Sequence, residues 1–135
     1  MEDVQPMDYW TSDRPEGTPG SQFHDLGDDF DELYAHPEYF FFAGMTLGAQ
    51  TIADQLRAAR GVPAYQVTVY RAVPLGVTVV NTGDWVTPAR EYAVEFAAAG
   101  ATIICATVPA ASLSLGADSM YEWGYFGPPV TAATA

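Results

Sequence analysis

The stretch Tyr65-Gln66-Val67-Thr68-Val69-Tyr70-Arg71-Ala72-Val73 decides the reading of the fold. Its β-branched and aromatic residues recur at a period of two, which suits a pleated strand with one buried face and not a helix. Working forward, Val77-Thr78-Val79-Val80 predicts a second short strand, Asn81-Thr82-Gly83-Asp84 has turn chemistry, and Trp85-Val86-Thr87 reads as a third strand. Pro88 then suits the first position of a helix running to Ala99, with Tyr92, Phe96 and Ala99 buried and Gly100 past its end. Ala101–Val108 predicts a central strand and Met120–Tyr125 a last one.

Working backward, Leu47, Ile52, Ala53, Leu56 and Ala59 recur at helical spacing and predict a helix over 47–60. Thr46 suits its N-cap and Gly61 its stop, while Arg57 and Arg60 suit the negative end of its dipole. Residues 23–42 alternate acids with aromatics, and Pro37 fits the first turn of a short helix. Residues 1–22, rich in Pro, Gly, Ser, Thr and Asp, lack the apolar surface to order themselves and read as a flexible acidic lead-in. Within it, Met7, Tyr9 and Trp10 are the residues able to dock as a strap. The tail, 128–135, reads as frayed. Helices before strands, without regular βαβ alternation, give an α+β class, with a single domain over 23–127.

The composition bounds the function. At 135 residues, 49% hydrophobic and 13% aromatic, the chain has apolar material for one core. Seventeen acids face five bases, all arginine, and the net charge of −12 argues against a sequence-independent nucleic-acid binder. Eleven of those acids fall within residues 1–38, so any macromolecular partner of that end presents a basic surface; plain solubility explains the same bias. No apolar run reaches the roughly 18 residues that span a bilayer, and the acidic N-terminus lacks the pattern of a signal peptide. A lone cysteine, Cys105, builds no disulfide framework and reads as a small buried thiol, consistent with a reducing cytoplasm.

Common motifs are missing: no phosphate-cradling glycine loop, no HExxH, no Cys/His spacing for zinc. His24 and His36 lie in the acidic front and read as ordinary polar residues. What remains is a sparse set of polar residues in apolar strands. Arg71 is costly to desolvate unless an anion meets it, either a local carboxylate or a bound phosphate. Thr87 stands just before a helix N-terminus, where anions and hydroxyl contacts are favoured. Glu122, in Tyr121-Glu122-Trp123-Gly124-Tyr125, is either a surface residue between buried neighbours or a catalytic carboxylate in an apolar cleft.

The order of these residues resembles a family. Tyr70-Arg71-Ala72-Val73-Pro74, Gly83-Asp84-Trp85-Val86-Thr87-Pro88, Arg90-Glu91-Tyr92-Ala93 and Glu122-Trp123-Gly124-Tyr125 look like the mono-ADP-ribosyltransferases of the Arg-Ser/Thr-Glu class. The similarity is greatest to compact bacterial and phage-encoded members, and spans about residues 33–126, including Leu33-Tyr34-Ala35-His36-Pro37. The resemblance implies a compact split β-sandwich with N-terminal helices and the catalytic set Arg71, Thr87 and Glu122 on three strands. It implies that Arg71 holds the phosphates of NAD, Thr87 braces the nicotinamide ribose, Tyr92 stacks on nicotinamide, and Tyr70 and Trp85 complete the NAD-binding set. Glu122 then hydrogen-bonds the ribose 2′-hydroxyl and stabilises an oxocarbenium-like transition state, with no metal required.

The implied reaction moves ADP-ribose from NAD to a protein acceptor, with NAD hydrolysis as a side activity. Two departures stand out. Met120 occupies the place where arginine-modifying members carry a second glutamate, which argues against arginine as acceptor, and Ala89 stands where relatives carry serine. The competing reading is a non-catalytic acidic interaction protein, a phage or bacterial inhibitor or accessory protein that keeps the fold.

Overall fold

The structure is a computed structural model and describes residues 21–27, 30–41, 45–115 and 119–135. Its strands begin where the period of two begins. β1 (Gln66–Val73) pairs antiparallel with β4 (Thr102–Pro109) along its whole length, from Gln66 opposite Pro109 to Val73 opposite Thr102. Val67 and Val69 of β1 and Ile104 and Val108 of β4 are buried, as the alternation requires. β4 is the central strand of its sheet, in the order β1-β4-β8, with β8 at Ala133–Thr134.

A second three-stranded sheet has the order β3-β6-β5, made from Trp85–Val86, Trp123–Tyr125 and Leu113–Leu115. β2 (Val79–Val80) pairs with β7 (Val130–Thr131) in a separate ladder. Among the described residues the two three-stranded sheets meet at one bridge, where Tyr70 and Thr87 exchange backbone hydrogen bonds of 2.7 and 3.0 Å. Short helices complete the α+β architecture: α1 (Asp31–Ala35), α2 (Ala49–Ala59) and α3 (Arg90–Glu95), with a 3₁₀ turn at Pro37–Tyr39 opened by Pro37. Leu33, Ile52, Leu56, Leu113, Tyr121 and Trp123 are fully buried in one core, each large side chain contributing about 1.5–3 kcal/mol. Among the described residues no helix is long and apolar enough to cross a membrane.

Several sequence expectations need correction. α2 begins at Ala49 rather than 47, and Gly48, left-handed at φ 82°, replaces Thr46 as its N-cap. The turn ahead of it is left-handed also at Met45 (φ 65°) and Leu47 (φ 58°), so Leu47 leaves the helical face. α3 covers Arg90–Glu95 instead of 88–99, because the chain must straighten in time for Thr102 to pair with Val73; Ala99 is exposed. Cys105 is half-buried rather than buried, facing Tyr70 on one side and Ala133 on the other.

The tail at 128–135 is paired rather than frayed. Val130 and Thr131 complete the β2 ladder, and Ala133 and Thr134 add an edge strand to β4. Small, weakly patterned residues gain their structure there from the unpaired backbone edges they meet. Of the predicted lead-in, 1–20 lie outside the described residues, as do Met7, Tyr9 and Trp10. Gln22 is built in: its side-chain amide donates to the Ala111 carbonyl at 2.8 Å.

Candidate functional site

β1 carries Arg71 into the interior. The residue is only 6% exposed, so its charge needs partners. Nη1 donates to the Trp85 carbonyl at 2.7 Å, and Nε lies 3.7 Å from Oδ2 of Asp84. The same Oδ2 accepts the Asn81 amide at 2.8 Å, so the turn at 81–84 is closed by the side chain that meets the guanidinium. Of the two anions that sequence reasoning left open for Arg71, the fold supplies the local carboxylate.

Thr87 directly follows β3 and is fully buried. Its backbone holds Tyr70, and its Oγ1 accepts the Ala89 amide at 3.2 Å, turning the chain into α3. Trp85 is buried two residues earlier, and Tyr70 is half-buried on β1. The β3-β6 ladder pairs Trp85 with Gly124 and Val86 with Trp123, and Thr87 and Glu122 are the residues that flank its end. Tyr70 and Thr87 share a bridge between β1 and the end of β3, with Arg71 the next residue along β1 and Glu122 just ahead of β6.

Glu122 is half-buried just ahead of β6, and Tyr92 of α3 donates its phenol hydrogen to Oε2. Tyr92 stacks nearly parallel on Tyr121, with centroids 4.7 Å apart and planes at 11°, and leans on Phe96 at 4.7 Å. Phe41 meets Tyr121 edge-on at 5.3 Å, and the Tyr121 hydroxyl donates to the Thr46 carbonyl at 2.7 Å. Burial among these rings pushes the Glu122 carboxyl above the ordinary glutamate range, while the Tyr92 hydrogen bond opposes that rise. Burial, and then the hydrogen bond to Glu122 and its charge, push the Tyr92 phenol far above the ordinary tyrosine range. A carboxylate with few water neighbours acts strongly on any positive charge that develops beside it.

The fold thus sets the strands of Arg71, Thr87 and Glu122 side by side, but the hydrogen bonds draw Arg71 and Glu122 to different partners. Sequence reasoning missed Asp84 and Tyr121. Asp84 was visible only as a turn residue, and Tyr121 only as a neighbour of Glu122. Met120, two residues before Glu122, is buried, and its carbonyl accepts the Trp123 indole at 2.8 Å. A cavity of about 450 Å³ lies elsewhere, between His24, Asp31, Tyr34 and Arg60. Its arginine is already engaged, 2.8 Å from Asp31 and 3.9 Å above the Tyr34 ring, so the perturbed carboxylate at Glu122 marks the stronger candidate site. Comparison of the chain with protein-family models, with curated proteins and with solved structures finds no match.

Proposed function

We propose that the protein is an NAD-dependent mono-ADP-ribosyltransferase whose reacting carboxylate is Glu122. The observation that carries this reading is the half-buried Glu122 carboxylate at the head of β6, the strand paired with β3, past whose end Thr87 bridges to Tyr70 beside Arg71 on β1. It agrees with the resemblance, which implies an Arg-Thr-Glu set on three strands of a split β-sandwich. The reaction breaks the bond between the ribose anomeric carbon and the nicotinamide nitrogen. The bonding pair leaves with nicotinamide and neutralises its ring. Glu122 stabilises the oxocarbenium charge, and an acceptor nucleophile bonds to the same carbon and releases its proton.

On this reading Arg71 fixes the wall of the site through Asp84 and Trp85, and the NAD diphosphate competes with Asp84 for the guanidinium. The acceptor is a protein, with a basic surface where it meets the acidic residues 1–38. Release of nicotinamide from NAD by the purified protein, alone and with candidate acceptor proteins, tests the proposal. No release under either condition rejects it.

A second reading draws on the internal partners of Arg71 and Thr87. With the guanidinium held by Asp84 and the hydroxyl by the Ala89 amide, the same fold serves a non-catalytic acidic interaction protein. Calorimetric titration with NAD separates the two, since that protein takes up no heat.

A further inference from the structure

The resemblance gives Tyr92 the task of stacking on nicotinamide, but the ring has no free face for it. Tyr92 is 5% exposed, with Tyr121 stacked on one face and Phe96 against the ring at 4.7 Å. Its hydroxyl is directed at Oε2 of Glu122. We propose that Tyr92 is the positioning residue of Glu122, holding the carboxylate at a fixed point in the aromatic wall and keeping it ionised there. The inference rests on the proposed function.

The geometry behind Tyr92 supports a fixed orientation. Tyr121 is tethered through its hydroxyl to the Thr46 carbonyl, in the left-handed turn that leads into α2. The same turn presses on the head of α3: a Cβ on Gly48 would lie 2.7 Å from both Ala89 Cβ and Glu91 Oε1. One turn thus sets both rings of the stack, and the stack sets the phenol. Left-handed backbone at the non-glycine residues Met45 and Leu47 carries a conformational cost that the surrounding packing must overcome.

An ionised Glu122 is what the reaction requires, and burial works against it. The phenol supplies a donor to the charged form and, being itself hard to ionise, keeps its own proton. Among the described residues the titratable groups tied to Glu122 are Tyr92 directly and, through Tyr92, Tyr121.

Tyr92→Phe keeps the ring and removes the donor. Side-chain carboxyl NMR of labelled glutamates should show Glu122 titrating about one pH unit higher in this variant. The acidic limb of nicotinamide release should move up with it. Tyr121→Phe, which cuts the tether to Thr46 but keeps the stacked ring and the donor, should move the Glu122 titration less than Tyr92→Phe does. An active wild type whose Glu122 titration is indifferent to Tyr92→Phe overturns this inference alone. A wild type that releases no nicotinamide, whatever its titration, overturns the proposed function and with it the catalytic use of the pair. Should Tyr92→Phe not fold, Glu122→Gln serves instead: ultraviolet titration should show the Tyr92 phenol ionising at lower pH, and an unmoved phenol overturns the proposal.

Discussion

Arg71 on β1 and Asp84 in the turn before β3 form an interior ion pair, Nε 3.7 Å from Oδ2, with side chains 7% and 14% exposed. This pair, with the hydrogen bond from Arg71 to the Trp85 carbonyl, ties the strand of one sheet to the start of a strand in the other. Beside it stands the bridge between Tyr70 and Thr87.

Removing Arg71 should therefore act first on stability. Arg71→Ala leaves the Asp84 carboxylate half-compensated and the Trp85 carbonyl short of a donor, a loss of about 2–4 kcal/mol. Urea denaturation at neutral pH measures it. A variant as stable as wild type but unable to bind NAD would show instead that the guanidinium serves phosphate and not the scaffold.

Gly48 offers a test of the frame behind the aromatic stack. Gly48→Ala places a side chain in left-handed backbone and within 2.7 Å of Ala89 Cβ and Glu91 Oε1. Backbone strain and overpacking together should cost roughly 2–4 kcal/mol, because the neighbouring Ala89 belongs to the rigid start of α3. Thermal melts read the loss, and near-ultraviolet circular dichroism should report rearranged tyrosines. An unaffected melt would mean that the turn and α3 can separate freely.

The C-terminal strands should be needed for full stability. Ending the chain after position 129 deletes β7 and β8, together with the hydrogen bonds from Ala132 to Thr78 and from Ala135 to Ile103, 2.7 and 2.8 Å long. The shortened protein should lose about 2–4 kcal/mol and expose the edge of β4. Denaturation and light scattering together check this, and equal stability of the two lengths would argue that the tail pairs only weakly.

What the sequence made legible follows the strength of its patterns. β1 and β4 have a clear period or a continuous apolar run, and both appear within a residue of their expected limits. α2 has a well-spaced apolar face and was found, though its start was misplaced. The unusual turn there is set by packing against Ala89, which no local preference reveals. β5, β7 and β8 have two or three residues each, too few for a pattern, and β7 and β8 owe their structure to β2 and β4, far earlier in the chain. At the candidate site, it was the resemblance that implied three strands for Arg71, Thr87 and Glu122, and the structure sets β1, β3 and β6 next to one another. The partners that decide their chemistry, Asp84 for Arg71 and Tyr92 for Glu122, are 13 and 30 residues distant and depend on the folded register.

Glu122→Gln separates catalysis from structure most directly. The amide keeps the size of the side chain and can still accept the Tyr92 hydrogen bond, but carries no charge to stabilise the oxocarbenium ion. Nicotinamide release in single turnover should fall by about two orders of magnitude or more, with NAD affinity nearly unchanged, because the loss appears in the transition state. Stability should respond in the opposite sense. The carboxyl of Glu122 is raised in the folded protein, so the native state holds its proton more tightly than the unfolded chain. That contribution is fully present below the ordinary glutamate range and is lost as pH rises through the folded value. The substituted amide does not titrate, so the stability of the variant relative to wild type should increase across that window towards neutrality. Melting both proteins over the window, alongside the rate measurements, gives four readings. Slower release with a relative gain in stability at neutral pH is the signature of a half-buried, functional carboxylate. Equal rates together with equal pH profiles would reduce Glu122 to a surface residue between Tyr121 and Trp123.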